Sequence, residues 1–318
     1  MTYRSYGDIQ IYAGSGCPML AQGIADYLNV PLTSWNIIDF PNENIWVQLH
    51  GSARGKDVYI ISSHNKPVHR NIMEMLIAID CLKRDSAGRI TAVMPYLAYS
   101  QSDQKTQPRV PITARLIADL TEAAGADRWM TVDLHAGQIQ GFYKIPGDSL
   151  TARYIFCDYL KTKDLSNAVL VTPDLGFAKM GRKYADLLNL PLAFVEKRRL
   201  GNDLRREALT LIGDVAGKDC ILVDDLVDTA GSITQAVQVV KDNGANEVDI
   251  VFTHPVLSDP AIDRFKAAPI REIITTDTLP IREDHGLNNL KILSTAGLLG
   301  EVIMRSHEGR SVGELFDE

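Results

Sequence analysis

The chain has 318 residues, 45% of them hydrophobic and 23% charged, with a formal net charge of −7 and a pI near 5.5. That length buries a full core without staples and suggests two domains. The acidic balance excludes a general binder of nucleic acid or of anionic membranes, either of which needs a basic surface.

No apolar run approaches the roughly 20 residues of a membrane span, and MTYRSYGDIQ carries no basic-then-apolar leader. Cys17, Cys81, Cys157 and Cys220 lie far apart with no C-x-x-C spacing. They read as reduced thiols, mostly core packing, in a cytoplasmic protein. Strands are expected at 9–13, 58–62, 90–94, 129–133, 168–172, 192–195, 220–223, 247–253 and 272–275. Several are rich in Ile and Val without strict alternation, as strands covered on both faces are. Amphipathic stretches alternate with them at 18–28, 71–84, 112–124, 177–188, 233–243 and 260–267. Pro18 suits a first helical turn and Gly244 a helix stop. The alternation implies an α/β protein with doubly wound, mainly parallel sheets flanked by helices. Two stretches, 129–141 and 220–234, share the order strand, acidic end, loop, helix. They hint at two related domains joined near 147–151.

The stretch ILVDDLVDTAGSIT, 221–234, combines two features that repel each other. Asp224 and Asp225 follow an apolar strand. Asp228, Thr229, Ala230, Gly231 and Ser232 then form a small-residue loop ahead of a helix. Ligands of open α/β sheets bind beyond the carboxyl ends of strands. There the helix start offers unpaired N–H groups and the positive end of its dipole. A phosphorylated sugar reconciles the two halves, with phosphate in the loop and hydroxyls against the aspartates, directly or through a divalent cation. The plainer alternative is a capped βα turn with a solvated acid pair. The T-x-G-S spacing directly after the strand favours the ligand.

VDDLVDTAGS resembles the ribose-5-phosphate loop shared by type I phosphoribosyltransferases and ribose-phosphate pyrophosphokinases (PRPP synthetases). DLHAGQIQGF, 133–142, resembles a signature of the second family that the first lacks. TPDLGF, 172–177, resembles its S-P-D-x-G-G stretch, with Phe177 in place of a second glycine. EKRR, 196–199, matches its K-x-R at the root of a catalytic flap, and PITARLIA, 111–118, resembles a helix start assigned to fold and subunit packing. The resemblance spans nearly the whole chain, including RSHEG at 305–309.

This resemblance implies two phosphoribosyltransferase-like domains, 1–148 and 149–304, with 305–318 returning to the first. It implies transfer of the diphosphoryl group of ATP to O1 of ribose 5-phosphate, with Mg²⁺ as cofactor. Lys197 and Arg199 would be catalytic. Asp224, Asp225, Asp228, Thr229, Ala230, Gly231 and Ser232 would bind ribose 5-phosphate. Phe40, Asn42, Glu43, Asn44, Gln101, Ser102 and His135 would bind the nucleotide, and His135 and Asp174 the metal. The partners would be ATP and ribose 5-phosphate, with no nucleic acid and no membrane, in a dimer-based homo-oligomer that extends to a hexamer.

Two nucleotide segments depart from the family pattern. Asn44 replaces a glutamate, Gln101 an arginine and Ser102 a glutamine. Losing a charge-assisted contact to phosphate costs about 1.5–3 kcal/mol in a favourable site. Lys105, Gln104 and Arg109 are the nearby candidates to compensate. A different nucleoside triphosphate, a weakly active or inactive regulatory relative, and a phosphoribosyltransferase that consumes PRPP stay open as alternatives. DLHAGQIQGF argues against the last.

Overall fold

Parallel strands dominate both sheets, as the Val- and Ile-rich runs lead one to expect. The computed structural model describes residues 6–199 and 207–313, and the side chains of 197–199, 207, 208 and 283 lie outside the described part. Two units divide the chain: Met1–Thr151 with Thr278–Pro280 and Ser294–Glu318, and Ala152–Asp277 with Ile281–Leu293.

The first unit opens with β1 (Ile9–Ala13) and α1 (Pro18–Leu28), whose first turn holds Pro18. A hairpin of β2 (Trp35–Asp39) and β3 (Ile45–Leu49) follows. Then come β4 (Asp57–Ile61), α2 (Val68–Arg84), β5 (Arg89–Met94), α3 (Thr113–Ala124) and β6 (Arg128–Val132). A 3₁₀ turn at Gly137–Phe142 leads to β7 (Gly147–Leu150). The sheet runs β1-β4-β5-β6-β7, all parallel. Alternation along β4 sorts the two faces. Val58 and Ile60 pack with Ile72, Met75 and Ile79 of α2, whereas the Tyr59 hydroxyl donates to the Ile303 carbonyl of the C-terminal helix at 3.4 Å.

The second unit holds α4 (Arg153–Leu160), β8 (Ala168–Thr172), α5 (Ala178–Leu188), β9 (Leu192–Arg199), β10 (Glu207–Ile212) and β11 (Asp219–Val227). It continues with α6 (Gly231–Asp242), β12 (Val248–Pro255), α7 (Ala261–Ala267), β13 (Glu272–Thr276) and β14 (Leu290–Leu293). Its sheet runs β10-β9-β8-β11-β12-β13-β14, parallel except for the β9–β10 pair. Leu222, Ile250 and Phe252 pack with Ile233 and Val237 of α6 and Phe265 of α7. The last helix, α8 (Ala296–Glu308), belongs to the first unit and packs on α1.

Two boundaries differ from the expectation in ways that bear on the site. Strand β11 runs past Val223 to Val227, because it keeps pairing with β12, Asp224 opposite Phe252 and Val227 opposite Pro255. Asp224 and Asp225 therefore lie within the strand, and the loop proper begins at Asp228. The chain rejoins the first unit at Ser294, ahead of 305, because the whole of α8 packs there.

Candidate functional site

The loop Asp228–Ser232 leaves the carboxyl end of β11, the central strand of its sheet. Asp228, Thr229 and Ser232 are exposed, while Ala230 is buried. Ala230 takes φ 60° and ψ 10°, a left-handed conformation, and Gly231 begins α6 directly after it. A left-handed residue followed by right-handed ones turns consecutive backbone N–H groups to one concave side, which is an anion nest. Here that nest coincides with a helix start, so the dipole adds to it. The conformation costs an alanine roughly 1–2 kcal/mol, and two contacts hold it. The Thr234 N–H and Oγ1 both donate to the Ala230 carbonyl, at 3.1 and 2.7 Å. Arg264 Nη1 donates to the Thr229 carbonyl at 2.8 Å.

Directly below the loop, Asp225 is buried and Asp224 half-buried. The Asp225 N–H donates to Asp224 Oδ1 at 2.9 Å. Burial, and next the negative charge of Asp225, hold the Asp224 carboxyl well above the usual carboxylate range, and Asp174 adds a smaller push the same way. The structure thus brings three expected carboxylates into one electrostatic group beside the nest. Asp174 Oδ1 accepts the Phe177 N–H at 3.0 Å, capping the approach to α5. Phe177 has φ −86° and ψ −1°, so no left-handed backbone requires a glycine where the family pattern has one.

These carboxylates fit a hard divalent cation. Their oxygens are the donors Mg²⁺ prefers, and the excess negative charge on Asp224 is what a cation would relieve. Among the described residues no three His, Cys, Asp or Glu side chains close into a metal cage. Mg²⁺ needs none, since it ordinarily takes one or two carboxylates and completes its shell with water and substrate phosphate. His135 lies in the first unit and is exposed, two residues after Asp133, whose φ of 37° turns the chain out of β6.

The expected nucleotide segments fall on two features of the first unit. Phe40–Asn44 is the tip of the β2–β3 hairpin, with the Phe40 N–H donating to the Asn44 carbonyl at 2.8 Å. Glu43 has φ 64°, the Asn44 N–H donates to Asn42 Oδ1, and the Phe40 ring stands 47% exposed. An exposed ring on a tight hairpin offers an apolar face on which another planar group can stack. Ser102, by contrast, is occupied at the start of α3: its Oγ accepts the Thr113 N–H at 3.4 Å and its carbonyl the Ala114 N–H at 3.1 Å. Gln101 is exposed, as are Lys105 and Arg109 further along the loop. Gln138 Nε2 of the DLHAGQIQGF stretch donates to the buried Asp103, which ties that motif to the 101–109 loop.

Lys197 and Arg199 end strand β9, and their side chains lie outside the described residues, as does the further basic pair Arg205 and Arg206. Arg264 is the loop-binding residue that sequence reasoning missed. It stands 35 positions after Thr229 on a short helix, with no local motif to mark it.

A central-strand loop, with an anion nest and a carboxylate group beside it, sits on a doubly wound α/β protein of phosphoribosyltransferase-like architecture. The pattern of the N-terminal domain of ribose phosphate pyrophosphokinase matches residues 9–125, and that of the phosphoribosyl synthetase-associated domain matches residues 201–317. The ribose-phosphate pyrophosphokinase of Caldanaerobacter subterraneus subsp. tengcongensis is 45% identical over 314 residues, covering 98% of this chain and 99% of its own. That of Corynebacterium efficiens is 45% identical over 318 residues, 99% of this chain and 97% of its own. The crystal structure of phosphoribosylpyrophosphate synthetase from Mycobacterium smegmatis superposes with a TM-score of 0.91 at 42% identity, over 95% of this chain and 100% of that one. The chain belongs to the ribose-phosphate pyrophosphokinase family.

Proposed function

We propose that the protein transfers the diphosphoryl group of ATP to O1 of ribose 5-phosphate, giving 5-phosphoribosyl 1-diphosphate and AMP. The observation that carries this reading is the nest at Asp228–Ser232 set directly above the Asp224–Asp225 pair. The 5-phosphate takes the backbone N–H groups of the nest, with the hydroxyls of Thr229 and Ser232 beside them. The ribose hydroxyls donate to Asp224 and Asp225. The O1 hydroxyl attacks the β-phosphorus, the bond from that phosphorus to the α,β-bridging oxygen breaks, AMP leaves, and the O1 proton passes to solvent. Lys197 and Arg199, at the end of β9, balance charge on the migrating group. Such a transfer needs positioning and cations more than covalent help.

Asp224, Asp225 and Asp174 are the residues that would hold Mg²⁺, with His135 assigned to the Mg-nucleotide by family resemblance. The metal would offset charge on the transferring phosphates. Phe40 stacks on the base. Asn42, Glu43 and Asn44 flank it, and Gln101 supplies an amide where the family has a guanidinium. Ser102 acts through the start of α3. A homo-oligomer built from dimers and a cytoplasmic site of action belong to the same reading. Burial pushes the Cys157 thiol up to about 11 and the Cys220 thiol to about 12, and among the described residues no helix is long and apolar enough to cross a membrane.

The test is formation of AMP and 5-phosphoribosyl 1-diphosphate from ribose 5-phosphate, Mg²⁺ and each common nucleoside triphosphate. The expected outcome is equal amounts of both products with ATP, and a fall of at least a hundredfold in turnover for Lys197→Ala. Product with another triphosphate only would reassign Asn44 and Gln101 to base selection. No product with any triphosphate, from folded protein that binds ribose 5-phosphate, would favour a regulatory subunit.

A further inference from the structure

Within the second unit, α7 sends one side chain to the 228–232 loop. Arg264 Nη1 donates to the Thr229 carbonyl at 2.8 Å. A Cβ at Gly231 would stand 3.1 Å from that same nitrogen, so Gly231 leaves the space the guanidinium needs. Gly231 has no positive φ, and its value here is room rather than backbone freedom. Arg264 also lines a cleft of about 330 Å³ between α6 and α7, with Thr234, Gln235 and Gln238.

The peptide between Thr229 and Ala230 is the hinge of the nest. In a trans peptide the C=O and N–H point in opposite directions. With the Thr229 carbonyl held on the Arg264 side, the Ala230 N–H faces away from Arg264. Rotating this one peptide plane by about half a turn, with ψ kept near 10°, would move Ala230 from φ 60° to a negative φ of roughly −120°. That would relieve its left-handed conformation, which alanine adopts reluctantly, and take its N–H out of the nest. The following carbonyl, Ala230, is already fixed by the Thr234 N–H and Oγ1. The Thr229 carbonyl is held by Arg264. Ala230 itself prefers the other orientation of that plane, so the Arg264 contact acts in favour of the nest-forming one.

We infer that Arg264 is a positioning residue for the phosphosugar site: by holding the Thr229 carbonyl it keeps the Thr229–Ala230 peptide in the orientation that aims the Ala230 N–H at the ligand phosphate. The inference rests on the reading of 228–232 as the ribose-5-phosphate loop. It assigns Arg264 no contact with the sugar phosphate.

The inference separates from a general packing role through a second variant. Glycine accepts positive and negative φ alike, so Ala230→Gly removes the strain that drives the flip. The experiment measures ribose-5-phosphate affinity by calorimetry, and KM for both substrates, in the full chain. The proteins are wild type, Arg264→Ala, Arg264→Lys and the double variant Arg264→Ala/Ala230→Gly, with circular dichroism as the folding control. Losing a charged hydrogen bond of this kind predicts a roughly ten- to hundredfold weaker ribose 5-phosphate affinity in Arg264→Ala. The KM for the nucleotide should change less than about twofold, Arg264→Lys should recover part of the loss, and the double variant should bind at least about fivefold tighter than Arg264→Ala. Wild type that binds ribose 5-phosphate together with an unchanged Arg264→Ala overturns the inference and leaves the phosphosugar reading standing. Equal losses for both substrates, or a double variant no better than the single one, also overturn it. Wild type that fails to bind ribose 5-phosphate overturns both.

Discussion

Asp224 is where function and stability oppose each other. Its carboxyl is held above the usual range by burial first and by the Asp225 charge second. A native-state acid with a raised pKa binds its proton more tightly than the unfolded chain does. Its contribution is therefore full below the unfolded value of about 4 and is lost as pH rises through the folded value. As pH rises from there toward neutrality, the pair therefore lowers the stability of the unliganded protein. Asp224→Asn removes that charge at nearly constant shape. We expect its melting midpoint to exceed wild type by about 2–8 °C at pH 7.5, for a relief of roughly 1–2 kcal/mol. The two proteins should converge as pH falls toward 4, while the variant loses ribose-5-phosphate binding. Thermal melts across pH 4–8 check this, and a variant less stable than wild type at pH 7.5 would contradict it. The sequence displays the pair openly, as two aspartates after an apolar run. It does not display their unequal burial, because that depends on how far β11 pairs with β12.

At the scale of elements, much of the pattern was legible. Pro18 opens α1 and Gly244, with φ 87°, follows α6 as the local rules require. The nine expected strands all form, β1 and β8 with the bounds expected and the other seven with shifted ends. What stayed hidden depends on partners distant in sequence. Helix α8 carries Gly297 and Gly300, which weaken any local helix signal. A Cβ at Gly300 would run into the ring of Tyr27 of α1, whereas one at Gly297 would meet that ring at ordinary contact distance. The hairpin tip 40–44 was visible as a motif but not as a turn, and β7, at four residues, is too short to show periodicity. Near the end of α8, a buried charge cluster joins the helix to the sheet. Asp57, fully buried, accepts from Arg89 Nε and Nη2 at 2.7 and 2.6 Å and from the Tyr59 hydroxyl at 3.0 Å, and lies 2.8 Å from His307 Nδ1. Asp57→Ala would leave a guanidinium and a hydroxyl buried without their acceptor. We expect a loss of about 3–5 kcal/mol, seen as a midpoint lowered by roughly 6–20 °C. Denaturant or thermal unfolding measures it, and a loss under 1 kcal/mol would mean that water reaches the cluster.

At the scale of the whole molecule, a chain of net charge −7 binds an anionic sugar only through a strong local arrangement. The nest, the start of α6 and the Asp224–Asp225 pair all belong to the second unit, whereas the hairpin tip, the 101–109 loop and His135 belong to the first. The two-unit organisation was readable from repeated strand-acid-loop-helix order, and the Arg264 contact was not, since only folding brings α7 to the loop. This division predicts where a ligand stabilises the chain. Ribose 5-phosphate at a hundred times its Kd adds about 2.7 kcal/mol to whatever folded part binds it. Local opening reports this residue by residue. Amide hydrogen exchange with ribose 5-phosphate and Mg²⁺ alone should slow at Asp225–Thr234, by up to about a hundredfold for amides that exchange through opening of the loop and first turn of α6. The strands β4 and β5 should gain little by comparison. Adding a non-hydrolysable ATP analogue should then slow exchange at 40–44 and 101–109. Protection by the sugar centred on the hairpin tip would place the phosphosugar in the first unit and overturn the assignment of the 228–232 loop.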